Sequence, residues 1–225
     1  MRPEVQQLYS SRVATVDEVL AIHSPTILRG VEVMSDRPDG DVGTIEQGTT
    51  FFTNTSYDNA LAAIGTVLDL VDAVCRPTGP PPVAFGICRP PGHHAVVDQS
   101  MGFCLFNTAA VAARYAQQAH GMQRVMIIDF DVHAGMLFWQ DLYHHHHVVV
   151  SGNGTSDIFE HDPSVLFVST HQQGIYPFQG KLEDTGKGDG EGATMHIPLP
   201  GTLWDVPATF THHDVAQVTV VKLPF

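Results

Sequence analysis

The chain has 225 residues, enough for one large domain or two small ones with a sizeable core. Apolar residues make up 43% and charged residues 16%, which excludes a disordered chain and points to a globular α/β or α+β protein. Eleven basic residues against 24 acidic ones leave a formal charge of −13, and without a Lys/Arg patch to meet phosphates direct nucleic-acid binding is excluded.

The opening MRPEVQQLYS lacks the apolar run of a secretory signal. Thr15-Val-Asp-Glu18 is a capping box, and predicts a short helix to about His23. Residues 30–55, rich in Gly, Asp and Thr without period, are expected as loop. Ser56 caps a long helix with apolar residues at Leu61, Ile64, Leu68, Val71 and Val74, closed by the prolines of CRPTGPPP. Val83–Cys88, a short apolar run between prolines, predicts a buried strand. Residues 107–119 are Ala-rich and helical, with His120 expected as helix-end surface and Gly121 as the terminating glycine. Arg124–Asp129, Val165–Thr170 and Ala193–Leu199 predict three further strands. Apolar strands separated by helices imply an α/β fold with a central, mostly parallel sheet. No stretch approaches a membrane span, so a soluble chain with no membrane partner is expected. Cys75, Cys88 and Cys104 show no Cys-x-x-Cys spacing and suit buried thiols in a reducing compartment. Two stretches break the pattern: 134–151, which includes the run His144–His147, and 202–225. Both look foreign to their surroundings, and the His run is expected as a solvated low-complexity segment.

Residues 76–150 balance four basic against four acidic residues and hold 8 of the 14 histidines, so chemistry is sought there. Ligands in a parallel sheet gather beyond the carboxyl ends of strands. The strand ending Ile128-Asp129-Phe130-Asp131-Val132-His133 places three polar groups at i, i+2 and i+4, on one face of an extended chain. Two carboxylates and an imidazole suit a divalent cation such as zinc or manganese. The plain alternative has the Asp residues capping a helix and His133 lining a loop. Arg89-Pro-Pro-Gly-His-His-Ala95 presents the tandem pair His93–His94, either a surface loop pair or a general base with its electrostatic partner beside a metal-bound water. Gly102-Phe103 and Tyr176 are core or turn residues by default, or the walls of a narrow apolar channel. Gly186–Gly192 lacks the Gly-Lys-Ser/Thr ending of a phosphate loop and is expected as a flexible turn.

RPPGHHA, MGFCLFN, IIDFDVH, GNGTSD, FVSTHQ and GKGDGEG follow one another in the order found in zinc-dependent histone deacetylases. The sequence resembles the class II-like branch of that family over about residues 10–201, apart from 134–151. The resemblance implies a three-layer α/β/α arginase/deacetylase fold and a zinc-dependent amidohydrolase that removes acetyl groups from lysines of histones or other proteins. A polyamine or other small-amide deacetylase is the same-class alternative, and a non-catalytic truncated isoform the other. By residue-wise transfer, Asp131 and His133 match two of three zinc ligands. His93 and His94 match the tandem histidines that together act as general base and electrostatic or acid partner, and Asp129 the carboxylate behind the first His. Gly102, Phe103 and Tyr176 match the acyl-lysine channel, and Asn153 the residue that hydrogen-bonds the second His. Ser169 and Thr170 fall where the family supplies backbone oxygens to a structural monovalent cation such as K+. Chromatin corepressors or a second copy are the partners the family implies. Its members are cytoplasmic, nuclear or organellar.

Two departures qualify the match. The family pattern DVHHGNG is interrupted after His133 by residues 134–151, with Ala134 or Ser151 where a second His belongs. The match stops near Gly201, before the family's third zinc ligand, an Asp, and its oxyanion tyrosine. Residues 1–201 are therefore expected as a partial deacetylase domain lacking its C-terminal strands, with 202–225 an unrelated tail. A retained intron would account for both departures.

Overall fold

Thr15 starts the first helix as its capping box predicts. Its hydroxyl accepts from the Glu18 amide and the Glu18 carboxylate accepts from the Thr15 amide, an arrangement worth about 1 kcal/mol. The computed structural model describes residues 9–45, 50–76, 83–134, 154–200 and 220–222. Helix α1 spans Val16–Leu20 and α2 spans Pro25–Ser35, with Ser24 as N-cap and Pro25 in the first turn, where its missing N–H costs nothing. Strands β1 (Gly43–Ile45) and β2 (Thr50–Phe52) form an antiparallel hairpin. The expected loop over 30–55 is thus corrected. Gly30 lies inside α2, where a side chain would meet open space, and the buried Ile27 and Val31 carry the helix past it.

Helix α3 (Ser56–Cys75) buries Leu61, Ile64, Leu68 and Val71 as its spacing predicts. Its N-cap is Thr55 rather than Ser56, whose hydroxyl instead accepts from the Thr53 amide. Helix α4 (Thr108–His120) starts at the N-cap Asn107 and ends on Gly121, left-handed at φ 67°. Strands β3 (Val125–Asp129), β4 (Val165–Gln172) and β5 (Thr194–Leu199) pair in parallel, with α5 (Gly154–Phe159) in the crossover between β3 and β4. Strand β6 (Val220–Lys222) pairs antiparallel with β3, giving the order β5-β4-β3-β6. The core lies between α3, α4, α5 and the sheet face formed by Val125, Ile127, Val165 and Phe167. The alternate residues Leu166, Met195 and Ile197 are exposed.

Three further expectations are corrected. Val83–Cys88 forms no strand among the described residues. It lies extended and exposed, with Val83 at 93% and Ile87 at 77%, because an apolar run becomes a strand only where a partner meets it. His120, read as surface, buries its ring and places Nε2 2.7 Å from Asp72, a carboxylate that also accepts from Tyr115 and pairs with Arg12. The glycine-rich turn is packed rather than loose: Lys187 N–H donates to the Glu160 carbonyl, and a side chain at Gly190 would strike that same carbonyl.

Candidate active site

Two strand ends and two loops converge on the tandem histidines. His93 and Asp129 are buried, 36 residues apart in sequence, with Nδ1 of the imidazole 2.8 Å from Oδ2 of the carboxylate. Burial by itself would lower the pKa of His93. The Asp129 charge and hydrogen bond, with Asp131 behind them, outweigh it and hold the ring above the ordinary histidine value. His94 lies against His93 with ring centroids 4.0 Å apart. It is fully enclosed, its Nδ1 has no hydrogen-bond partner among the described residues, and burial together with the charges of His93 and His133 pushes it well below the ordinary value. Adjacent imidazoles are thereby driven in opposite directions, one toward the charged form and one toward the neutral.

Beyond β3 the chain leaves the sheet and bends at Val132 and His133. Phe130 and Val132 turn outward, half exposed, while Asp129, Asp131 and His133 share the inner face as their spacing predicts. The second oxygen of Asp129 accepts from the Asp131 amide, and Asp131 in turn accepts from the His133 amide at 2.8 Å. Asp131 Oδ1 and His133 Nδ1 lie 3.0 Å apart. With metal–ligand bonds of about 2.0–2.1 Å, two ligand atoms of a tetrahedral zinc lie roughly 3.3 Å apart. The 3.0 Å between Asp131 and His133 is a hydrogen bond, and in donor type, a carboxylate oxygen beside an imidazole nitrogen, the pair suits a divalent cation. Among the described residues no group of three His, Cys, Asp or Glu completes such a site.

Tyr176 closes another side of the site, its ring edge-on to His94 at 5.3 Å and to His133 at 6.1 Å. Gly102 packs directly on the His94 ring, where a Cβ would stand 2.5 Å from the imidazole, and its φ of +56° favours glycine independently. Phe103 follows with φ 67° and is 41% exposed. The structure thus brings His93, His94, Asp129, Asp131, His133, Gly102, Phe103 and Tyr176 together. Ser169 sits opposite Asp129 in the β3–β4 ladder, with Thr170 next to it. Asn153 and His144–His147 lie outside the described residues.

Three residues that hold the site escape sequence reasoning. Asn107 donates from Nδ2 to the carbonyls of His93 and Ala95 and to the Thr155 hydroxyl, while its Oδ1 caps α4 at the Ala110 amide. Its backbone N–H donates to Nε2 of the buried His23. The cap was legible from the Ala-rich run after it, but the other partners were not. His171 Nε2 lies 2.9 Å from the Gly180 carbonyl and its Nδ1 2.9 Å from the Ser169 hydroxyl, which ties the Tyr176-bearing loop to β4. The period of two along Ser169–His171 is the signal that would have found it.

A family model described as the histone deacetylase domain matches residues 2–218. The chain belongs to the histone deacetylase family. It is 41% identical over 208 residues to histone deacetylase 14, chloroplastic, of Arabidopsis thaliana, covering 90% of this chain and 45% of the relative. It is 43% identical over 207 residues to histone deacetylase 10, chloroplastic, of Oryza sativa subsp. japonica, covering 90% and 43%. The solved structure of the HDA15 HD domain superposes with a TM-score of 0.71 at 34% identity, covering 84% of this chain and 49% of that one. The fold is therefore the α/β deacetylase fold, with its parallel strands β3, β4 and β5 at the site. The chain spans about half the length of the curated relatives it matches.

Proposed function

We propose that this chain carries the acid–base part of a zinc-dependent lysine deacetylase site, acting on acetyl-lysine amides of histones or other proteins. The observation that carries the reading is the tandem pair beside the Asp131–His133 pair: one imidazole raised above the ordinary histidine value by a buried carboxylate, its neighbour pushed well below it and lying edge-on to His133. Asp131 and His133 would hold the zinc. When bound, a zinc ion polarises an amide carbonyl and acidifies its water.

The remaining work falls to the chain's own residues. His94, neutral and with Nδ1 buried, has Nε2 left to take the proton from the attacking water. His93, raised above the ordinary histidine value by Asp129, would supply positive charge beside the developing oxyanion. Gly102 leaves the base room, and Phe103 and Tyr176 exclude water from the acyl-lysine stem. The proton passes from His94 to the leaving amine, and the products are acetate and a free lysine. The chloroplastic relatives favour an organellar compartment among those open to the family. No helix among the described residues is long and apolar enough to cross a membrane.

Two protein ligands hold zinc far more weakly than three. In calorimetric titrations of a variant without His144–His147, the chain is expected to bind zinc weakly, to lose that binding in Asp131→Ala or His133→Ala, and to hydrolyse an acetyl-lysine peptide near background. Stoichiometric zinc with robust, chelator-sensitive turnover would overturn the two-ligand reading. Zinc binding that survives both substitutions would overturn the ligand assignment.

A further inference from the structure

The hairpin beside Phe103 carries an aromatic residue that neither packing nor the deacetylase reading uses. Along β2 the burial alternates: Thr50 and Phe52 are 0% and 1% exposed, and Phe51 between them is 49% exposed. The two inward residues meet what the hairpin needs from the core. Phe51 instead turns outward and meets the ring of Phe103 at a steep angle, with centroids 6.4 Å apart and planes at 65°.

Phe103 is held there by the fold. Its φ of 67° lies in the left-handed region, which a bulky side chain adopts only under constraint, and its N–H donates to the Thr50 hydroxyl at 3.1 Å. Gly102, immediately before it, rests on His94. A strained backbone and a buried hydroxyl thus keep two half-exposed rings in contact, one residue away from the glycine that covers the proposed base. Rings fixed edge to face over open space form an apolar surface ready for a third group.

We propose that Phe51 is a specificity-determining residue: with Phe103 it forms an aromatic shelf at the mouth of the site that takes an aliphatic or aromatic side chain next to the acyl-lysine of a peptide. The proposal rests on the deacetylase reading above, and extends it from the acyl-lysine to its neighbours in sequence. Phe103 contacts the lysine stem, and Phe51, farther from His94, reaches the flanking residue. Thr50 is a positioning residue for the shelf.

The test reads binding, so it does not depend on a metal-loaded enzyme. Dye-labelled acetyl-lysine peptides flanked by Gly, Leu or Arg, with unacetylated controls, are titrated into the full chain and followed by anisotropy. The Leu-flanked peptide is expected to bind roughly 3- to 10-fold more tightly than the Gly-flanked one. Phe51→Ala should abolish that ratio while leaving the denaturation midpoint unchanged, and Phe51→Tyr should preserve the ratio. A ratio near one in the natural chain, a ratio untouched by Phe51→Ala, or a preference for Arg alone would overturn the shelf. If acetylated peptides bind no better than their controls, the deacetylase reading falls and the shelf falls with it. Acetyl-dependent binding without flank preference removes the shelf alone.

Discussion

Asp129 controls His93 from a single hydrogen bond. Replacing it with Asn keeps the shape and removes the charge, leaving burial of the imidazole opposed only by Asp131. In Asp129→Asn the His93 titration, followed by NMR of the ring, is expected to move down from above the ordinary histidine value to below it. An unchanged titration would mean that Asp131 rather than Asp129 sustains the charge. Gly154 makes a different kind of contribution. At φ 37° it opens α5 with its Cα against the His93 carbonyl, which also accepts from the Thr155 amide, and a Cβ there would collide with that carbonyl. Because the obstacle is backbone, it cannot swing aside. Gly154→Ala is expected to cost about 3 kcal/mol in chemical denaturation, the sum of an unfavourable φ and overpacking.

At the scale of elements, helix α4 is the site's frame. Its cap residue Asn107 is fully buried and joins His23, His93, Ala95, Ala110 and Thr155. Asn107→Ala removes a helix cap and leaves buried carbonyls unpaired, so a loss of about 3 kcal/mol or more in the denaturation free energy is expected. Asn107→Asp should restore the cap yet remain destabilised, because a carboxylate would face the His93 and Ala95 carbonyls. The same elements mark what a sequence discloses. Strands β3, β4 and β5 were readable because each is a short apolar run between turn or helix signals, and the polar triplet after β3 because alternation in one strand end needs no tertiary knowledge. Val83–Cys88 has the same composition and misled, since pairing depends on a partner that composition does not name. Helix α2 was hidden by Gly30, a residue its surroundings merely tolerate. The role of His23 comes from contacts 74 and 84 residues away, which leave no local mark, whereas the alternation of Ser169 and His171 along β4 does leave one.

For the molecule as a whole, buried neutral histidines set the response to acid. His23, enclosed between Val97 and Asn107, and His196, beside His171, are both pushed down to about 4 by burial. Their folded pKa values lie below the unfolded value of about 6.5, so between pH 6.5 and about 4 the unfolded chain binds protons that the folded chain refuses, and stability falls as pH falls. From pH 7.5 to 5 each should cost roughly 2 kcal/mol. His93, with its raised pKa, acts in the opposite sense and above that window: its contribution grows as pH falls toward about 6.5 and is constant below it. Denaturation curves of His23→Gln against the natural chain isolate one contribution: the variant should lose roughly 2 kcal/mol less between those two pH values. Parallel slopes would show that His23 takes up a proton without unfolding.

The reach of the Asn107 hydrogen bonds also bears on the order of assembly. The residue grips His23 across 84 positions of chain and Thr155 across 48, and His93 meets Asp129 across 36. Loops of that size close only after local helices have paid their own nucleation cost, so the enclosure of the histidine pair by Asp129 and Asn107 comes late, well behind the helical signal of α3 and α4. In refolding experiments the quenching of a probe placed beside His93 should therefore trail the far-ultraviolet signal, and the paired imidazoles serve as a clock hand for the last act of folding.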